Sequence, residues 1–341
     1  MSFLQHRTAH ALLAVSLVLT AGCGAGAAER SSGPVTIPAS PEPGTFRLGT
    51  QPWIGYAPWY IAQDKGLAKE HGTALEQVNF TSDDQLNAAL ASGKIDGANV
   101  SSHTALNLIA AGVDIRIVML EDVSLTADAV LASSGTTDIK ALKGKRVAYE
   151  EGTTSDILLR YGLRHNGMSL DDVQRVPMSA TDAGSAFAAG RVDAAVTYEP
   201  YLSAARAKQP EARQVYSAAE KPGLISDVLV VRGDVLGKKP GQVAALVKTW
   251  NAAIDAYAAD PPSARNTMAR GIGADPGQLG TAFDGIKYYG RAENAGQLKG
   301  TYAASVLPDV AAAAKEAGLL QRDVDARSAV DDRYLESGAT R

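Results

Sequence analysis

The sequence predicts an α/β fold made of two similarly wound lobes, on three observations. Strand-like and helix-like stretches alternate along the body. The segment "LASGKIDGANV" (90–100) recurs 97 residues later as "FAAGRVDAAVT" (187–197), with Gly, a basic residue, a β-branched residue, Asp and Ala in the same order. The same offset carries Pro58, opening one helical stretch, onto Ser155, near the start of another.

"FRLGTQPW" (46–53) reads as the first strand, and 58–71 as a helix whose Pro58 suits the first turn, where its missing N–H would be unpaired anyway. "LEQVNF", "DGANVS" and "IRIVML" are further strands, separated by helices over 83–91 and 104–111. The repeated unit is a helix, a Gly stop, a turn Asp (Asp96, Asp193) and a buried strand. In the second copy the helix is "SDILLRYGLRHNG", with Thr153 as its cap and Asp156 completing a capping box. "PGQVAALVKTWNAAIDAYAAD" and "SVLPDVAAAAKEAGLL" are late helices, and Trp250, at helical spacing from apolar neighbours, is a core residue. Trp59 and Tyr60 read as packing residues of the first helix.

The 341 residues are 45% hydrophobic, enough for a sizeable core, and the net charge of −4 with pI near 5.8 argues against nucleic acid as a partner. Residues 1–22 read as an export signal: a polar start, then "ALLAVSLVLTA", too short to span a bilayer. "TAGC" ends it, and Cys23 is the chain's one Cys. It is the expected lipidation site, tying the mature protein to the membrane. The competing expectation is an ordinary signal cut near 25–27, leaving no lipid. Residues 23–45, Pro-rich and without apolar period, form a tether. Lipidation of Cys23 leaves no thiol for a disulfide, metal site or nucleophile.

Ligands of open α/β sheets bind beyond the carboxyl ends of strands, near helix starts. The offset pairs 53–58 with 150–155, and 101–102 with 198–199, so these four loops should line one cleft between the lobes. Trp53 and Tyr56 precede Pro58 in a loop and are expected ligand contacts. Ser101, Ser102, Thr153, Thr154 and Ser155 stand at helix starts, able to hold an oxyanion. Tyr198 and Glu199 complete the fourth loop. The loops hold no Lys or Arg but do hold Glu150, Glu151 and Glu199. A bare anion such as nitrate is therefore disfavoured against a solute that also carries an amine or ring nitrogen. Asp122 is an expected ligand residue, and it and Asp128 can equally be hinge anchors. Glu199 can equally bridge the cleft in a salt bridge.

Four stretches, "GYAPWYIAQDKGL", "LASGKIDGANVSSHTAL", "DIKALKGKRVAYEEGTTS" and "AAGRVDAAVTYEPYL", resemble the substrate-binding proteins of ABC importers of the nitrate/sulfonate/taurine class, which has relatives binding the thiamine-pyrimidine precursor. The resemblance runs over about 46–320. It implies a type II periplasmic-binding-protein fold, with a ligand cleft between two lobes joined by a two-crossing hinge near 121–133 and 220–231. The lobes are then 46–125, 126–222 and a return with C-terminal helices over 223–341. The implied function is capture of a small organic solute, sulfonate- or taurine-like first and N-heterocyclic second. Delivery is to an ABC permease and its ATPase by a monomer outside the cytoplasm. A sensor presenting the ligand to a signalling partner is a third possibility. No cofactor or metal is expected, and the protein is not expected to be an enzyme. There is no Walker loop, H-E-x-x-H or G-x-S-x-G, and His71, His103 and His165 are scattered. Similar folds do serve as chorismate dehydratases, Cys-dependent desulfinases and the fungal pyrimidine synthase; the last two resemble Cys-reliant families.

Overall fold

The computed structural model describes residues 36–335. The expected signal peptide, Cys23 and most of the tether lie outside the described residues. Eleven strands form two sheets: β1 (Thr45–Thr50), β2 (Ala74–Asn79), β3 (Gly97–Ser101), β4 (Ile115–Ser124), β5 (Asp128–Ala132), β6 (Arg146–Tyr149), β7 (Gln174–Pro177), β8 (Ala194–Tyr198), β9 (Arg213–Ser217), β10 (Ser226–Arg232) and β11 (Ile286–Tyr288). The first sheet has the order β11–β4–β10–β3–β1–β2, the second β7–β6–β8–β5–β9. In each, three parallel strands (β2–β1–β3; β7–β6–β8) are extended by antiparallel ones.

The duplication read from the sequence is a structural one. Asp96 accepts the backbone N–H of Arg47 (2.9 Å), and Asp193 accepts that of Arg146 (2.8 Å). Each turn carboxylate thus ties the start of one parallel strand to the next. The lobes differ where they meet the cleft. Seven residues, 51–57, separate β1 from the helix Pro58–Asp64, whereas four, 150–153, separate β6 from the helix Thr154–His165. The longer loop carries Trp53 and Tyr56.

The chain changes sheet between Ser124 and Asp128 and returns between Ser217 and Ser226. The two crossings touch, Ser124 N–H donating to the Ile225 carbonyl (3.0 Å). Val228, Leu229, Val230 and Val231 of β10 are fully buried in the centre of the first sheet. Trp250, on the helix Pro240–Ala259, is also fully buried; it packs on Trp59 (ring centroids 5.3 Å) and donates to the Tyr289 carbonyl (2.9 Å). Asn294 pins the C-terminal segment to β4, exchanging bonds with the Leu120 N–H (2.9 Å) and carbonyl (2.7 Å).

Two boundaries depart from expectation. The helix over 58–71 is two pieces, Pro58–Asp64 and Leu67–Glu70, because Gly66 between them takes φ +70°. The end of the expected tether is fastened to the first lobe. Glu42 accepts the N–H groups of Gly241 (3.1 Å) and Gln242 (2.9 Å), filling the start of the helix Pro240–Ala259 with a carboxylate.

Candidate functional site

Where β1, β3, β6 and β8 end, the two lobes enclose a cavity of about 40 Å³. Trp53, Tyr56, Ser101, Thr153, Thr154, Ser155 and Tyr198 line it, as placed by the paired loops. Trp53, from the first lobe, meets Tyr198, from the second, edge to face at 5.4 Å between centroids. By the measure in which one water needs about 10–15 Å³, the cavity has room for about three waters.

The sequence did not single out four other lining residues. Gln51 follows β1, Asp83 opens the helix Asp83–Ala91, Ile225 ends the return crossing and Asp227 lies on β10. Asp227 organises the aromatic loop: its carboxylate accepts Trp53 Nε1–H (2.9 Å) and Tyr56 Oη–H (3.0 Å). Trp53 and Tyr56 therefore spend their polar groups on a carboxylate and offer a solute their ring surfaces. Gly55 between them lies against that cluster, where a Cβ would fall on the Trp53 indole nitrogen and the Asp122 carboxyl.

Asp122 itself is fully buried beside Asp227 on the neighbouring strand, behind the lining. Neither of its oxygens is taken by an N–H or hydroxyl. Burial, then the Asp227 charge, raise its carboxyl well above the usual carboxylate range. Glu121 next to it is likewise pushed far up by burial, and accepts Trp59 Nε1–H (2.9 Å).

Ser102 and Glu199 also lie off the cavity. Ser102 is buried and bonds to Ser226 and Tyr302. Glu199 turns onto its own helix, accepting Ser203 N–H (2.9 Å) and Ser203 Oγ–H (3.0 Å). Those first-turn groups would otherwise be unpaired, which is why the side chain folds back instead of crossing the cleft. Thr153 does not form the expected cap or box: its hydroxyl donates to the Glu150 carbonyl (2.9 Å), and Asp156 accepts Gly152 N–H (2.9 Å) and pairs with Arg160 (2.6 Å). Ser101 does cap its helix, accepting Thr104 N–H (3.1 Å).

The cavity is acidic. Asp83, Asp128, Glu150 and Asp227 line it, and none of the described residues around it is Lys, Arg or His. Burial raises all four: Asp83 and Asp227 to about 6, Glu150 to about 7 and Asp128 to about 8. Neighbouring carboxylates add to this, Asp227 acting on Asp128 and Asp83 on Glu150 across the cleft. Among the described residues no group of three or more His, Cys, Asp or Glu is arranged to hold a metal ion. Burial keeps His103, beneath Ser101, neutral by lowering it to about 4.

The NMT1/THI5-like family matches residues 53–264. The chain belongs to that family. A Bacillus subtilis (strain 168) protein named as a candidate aliphatic sulfonates-binding protein is 29% identical over 250 residues, 71% of this chain and 72% of its own. The taurine-binding periplasmic protein of Escherichia coli (strain K12) is 25% identical over 268 residues, 76% of this chain and 83% of its own. The alkanesulfonate-binding protein SsuA from Xanthomonas axonopodis pv. citri, solved bound to MOPS, shares the fold. Its TM-score is 0.71 at 23% identity, over 85% of this chain and 99% of that one. Not every NMT1/THI5-like relative is a binder: one, 28% identical over 236 residues, is a Saccharomyces cerevisiae pyrimidine phosphate synthase. The type II two-lobe fold expected from the four motifs is the fold found.

Proposed function

We propose that this protein captures a small organic solute outside the cytoplasm and hands it to an ABC permease driven by its ATPase. The observation that carries this reading is one cavity lined jointly by both lobes, with a two-crossing hinge behind it. Such a cavity forms and opens with rotation of one lobe on the other, so binding energy shifts an open–closed equilibrium and no bond changes. The amides of Thr154 and Ser155, opening a helix of 12 residues, suit an electron-rich end of the solute. The carboxylates suit an amine. A taurine-like zwitterion satisfies both, which a simple alkanesulfonate does not.

Capture rather than catalysis is the reading we propose, and three polar groups of the lining support it. The Ser101 hydroxyl caps Thr104, and the Tyr56 hydroxyl and Trp53 indole are spent on Asp227. We further propose that Cys23 carries a lipid and that the protein acts as a monomer tethered through 24–35. Labelled fatty acid should enter the wild type and not Cys23→Ala; release of unmodified wild type into the medium contradicts the anchor.

A thermal-shift panel of alkanesulfonates, taurine, nitrate, amines and pyrimidines tests the capture reading. A solute at 100 times its dissociation constant should stabilise the protein by about 2.7 kcal/mol. Absence of a shift with every class would refute it.

A further inference from the structure

We infer that the solute carries a protonated nitrogen, seated on the unpartnered Oδ2 of Asp128 beside the paired rings of Trp53 and Tyr198. This rests on the capture reading and specifies its ligand. Asp128 is the first residue of β5, immediately after the crossing from lobe to lobe, and only 5% exposed. Ser124 Oγ accepts its backbone N–H (3.0 Å), which fixes the residue, while Oδ2 has no hydrogen-bond partner and the side chain lines the cavity. A carboxyl oxygen buried without a partner is costly, and a cationic donor arriving with the solute fills it and lets the group ionise.

The surroundings select the kind of donor. Tyr198 lies opposite Asp128 in the β5–β8 register, and its ring meets Trp53 edge to face. Trp53 is held in place by its bond to Asp227. An aromatic wall beside a carboxylate favours an organic cation, because ring faces and carboxylate both attract positive charge and the rings cover its carbon substituents. Asp83, Glu150 and Asp227 add negative potential to the same 40 Å³. A bare anion would enter against that potential with no cation to meet it. The scattered geometry of these acids, which forms no metal-binding group, points to a nitrogen donor rather than a metal ion.

The test is calorimetry on the mature protein with matched probes: taurine against isethionate, where a hydroxyl replaces the amine, together with ethylammonium, ethanolammonium, ethanesulfonate and nitrate. Amine- or ammonium-bearing probes should bind at least about tenfold more tightly than their neutral-ended or purely anionic partners, the loss of one buried charge-assisted bond. Asp128→Asn should remove that preference while Asp128→Glu restores part of it, both variants keeping the wild-type circular dichroism. If Asp128→Asn fails to fold, the probe ranking of the wild type decides alone. Isethionate or nitrate binding as tightly as taurine and the ammonium compounds overturns the inference while leaving capture intact. Binding of no probe in any class overturns both.

Discussion

Raising the pH should open the lobes in the absence of solute, and Asp128 should be the main cause. Its carboxyl is raised from 3.8 to about 8, first by burial and then by the Asp227 charge, with Glu199 adding to it and Ser124 opposing. A raised carboxyl means that the closed state holds the proton more tightly than the open one. The associated stabilisation is complete below the ordinary carboxylate value near 3.8 and is lost as pH climbs through 8. At about 1.4 kcal/mol for each pH unit between the two values, closure loses up to roughly 6 kcal/mol from Asp128 alone. Asp83 and Asp227, raised to about 6, and Glu150, raised to about 7, push in the same direction over a lower range. Parting the lobes readmits water to these groups at less cost than unfolding either lobe, so opening is the response. Small-angle scattering from pH 5 to 9 should show the radius of gyration rising above pH 7. Asp128→Asn should flatten the upper part of that rise. An invariant radius in the wild type, or the same profile in Asp128→Asn, refutes the assignment.

Three substitutions separate core, loop and cap. Trp250→Ala should cost about 3–5 kcal/mol in urea unfolding, since it empties a fully buried site and leaves the Tyr289 carbonyl without its indole donor. Gly55→Ala should cost about 1–3 kcal/mol and shift tryptophan emission, because the added methyl must displace the Trp53 indole or the Asp122 carboxyl; wild-type emission and stability would contradict the packing. Glu199→Gln should lower stability by about 0.5–1.5 kcal/mol by weakening its hold on Ser203. Solute affinity in that variant should stay at the wild-type value, and a large loss would return Glu199 to the cleft.

What could be read from the sequence was local or repeated. Helix starts at Ser101 and Thr153 to Ser155 follow strands with a turn-and-cap chemistry visible in a few residues, and the duplicated unit placed their loops at one cleft. Asp227 was invisible for a different reason. It reaches the site by antiparallel pairing of β10 with β3 and β4, and register between distant strands leaves no periodic mark at the residue itself. Asp83 opens its helix, where an acid in the first turn is ordinary and marks no site. Glu199 did carry a readable signal: an acid two residues before Tyr201, with Ser203 in the first turn, is spaced to cap that helix. Its actual place, folded onto Ser203, is neither the ligand contact nor the cleft salt bridge expected of it.

Closure on a solute is most directly measured as a distance between the lobes. Spin labels at Lys94→Cys and Arg191→Cys, exposed and equivalent positions of the duplicated unit, can be placed in a Cys23→Ala background. Pulsed dipolar spectroscopy should then show a broad or two-component distribution without solute, collapsing to one shorter distance when the tightest-binding amine of the panel is added. A distribution that no binding solute changes would contradict capture by lobe closure.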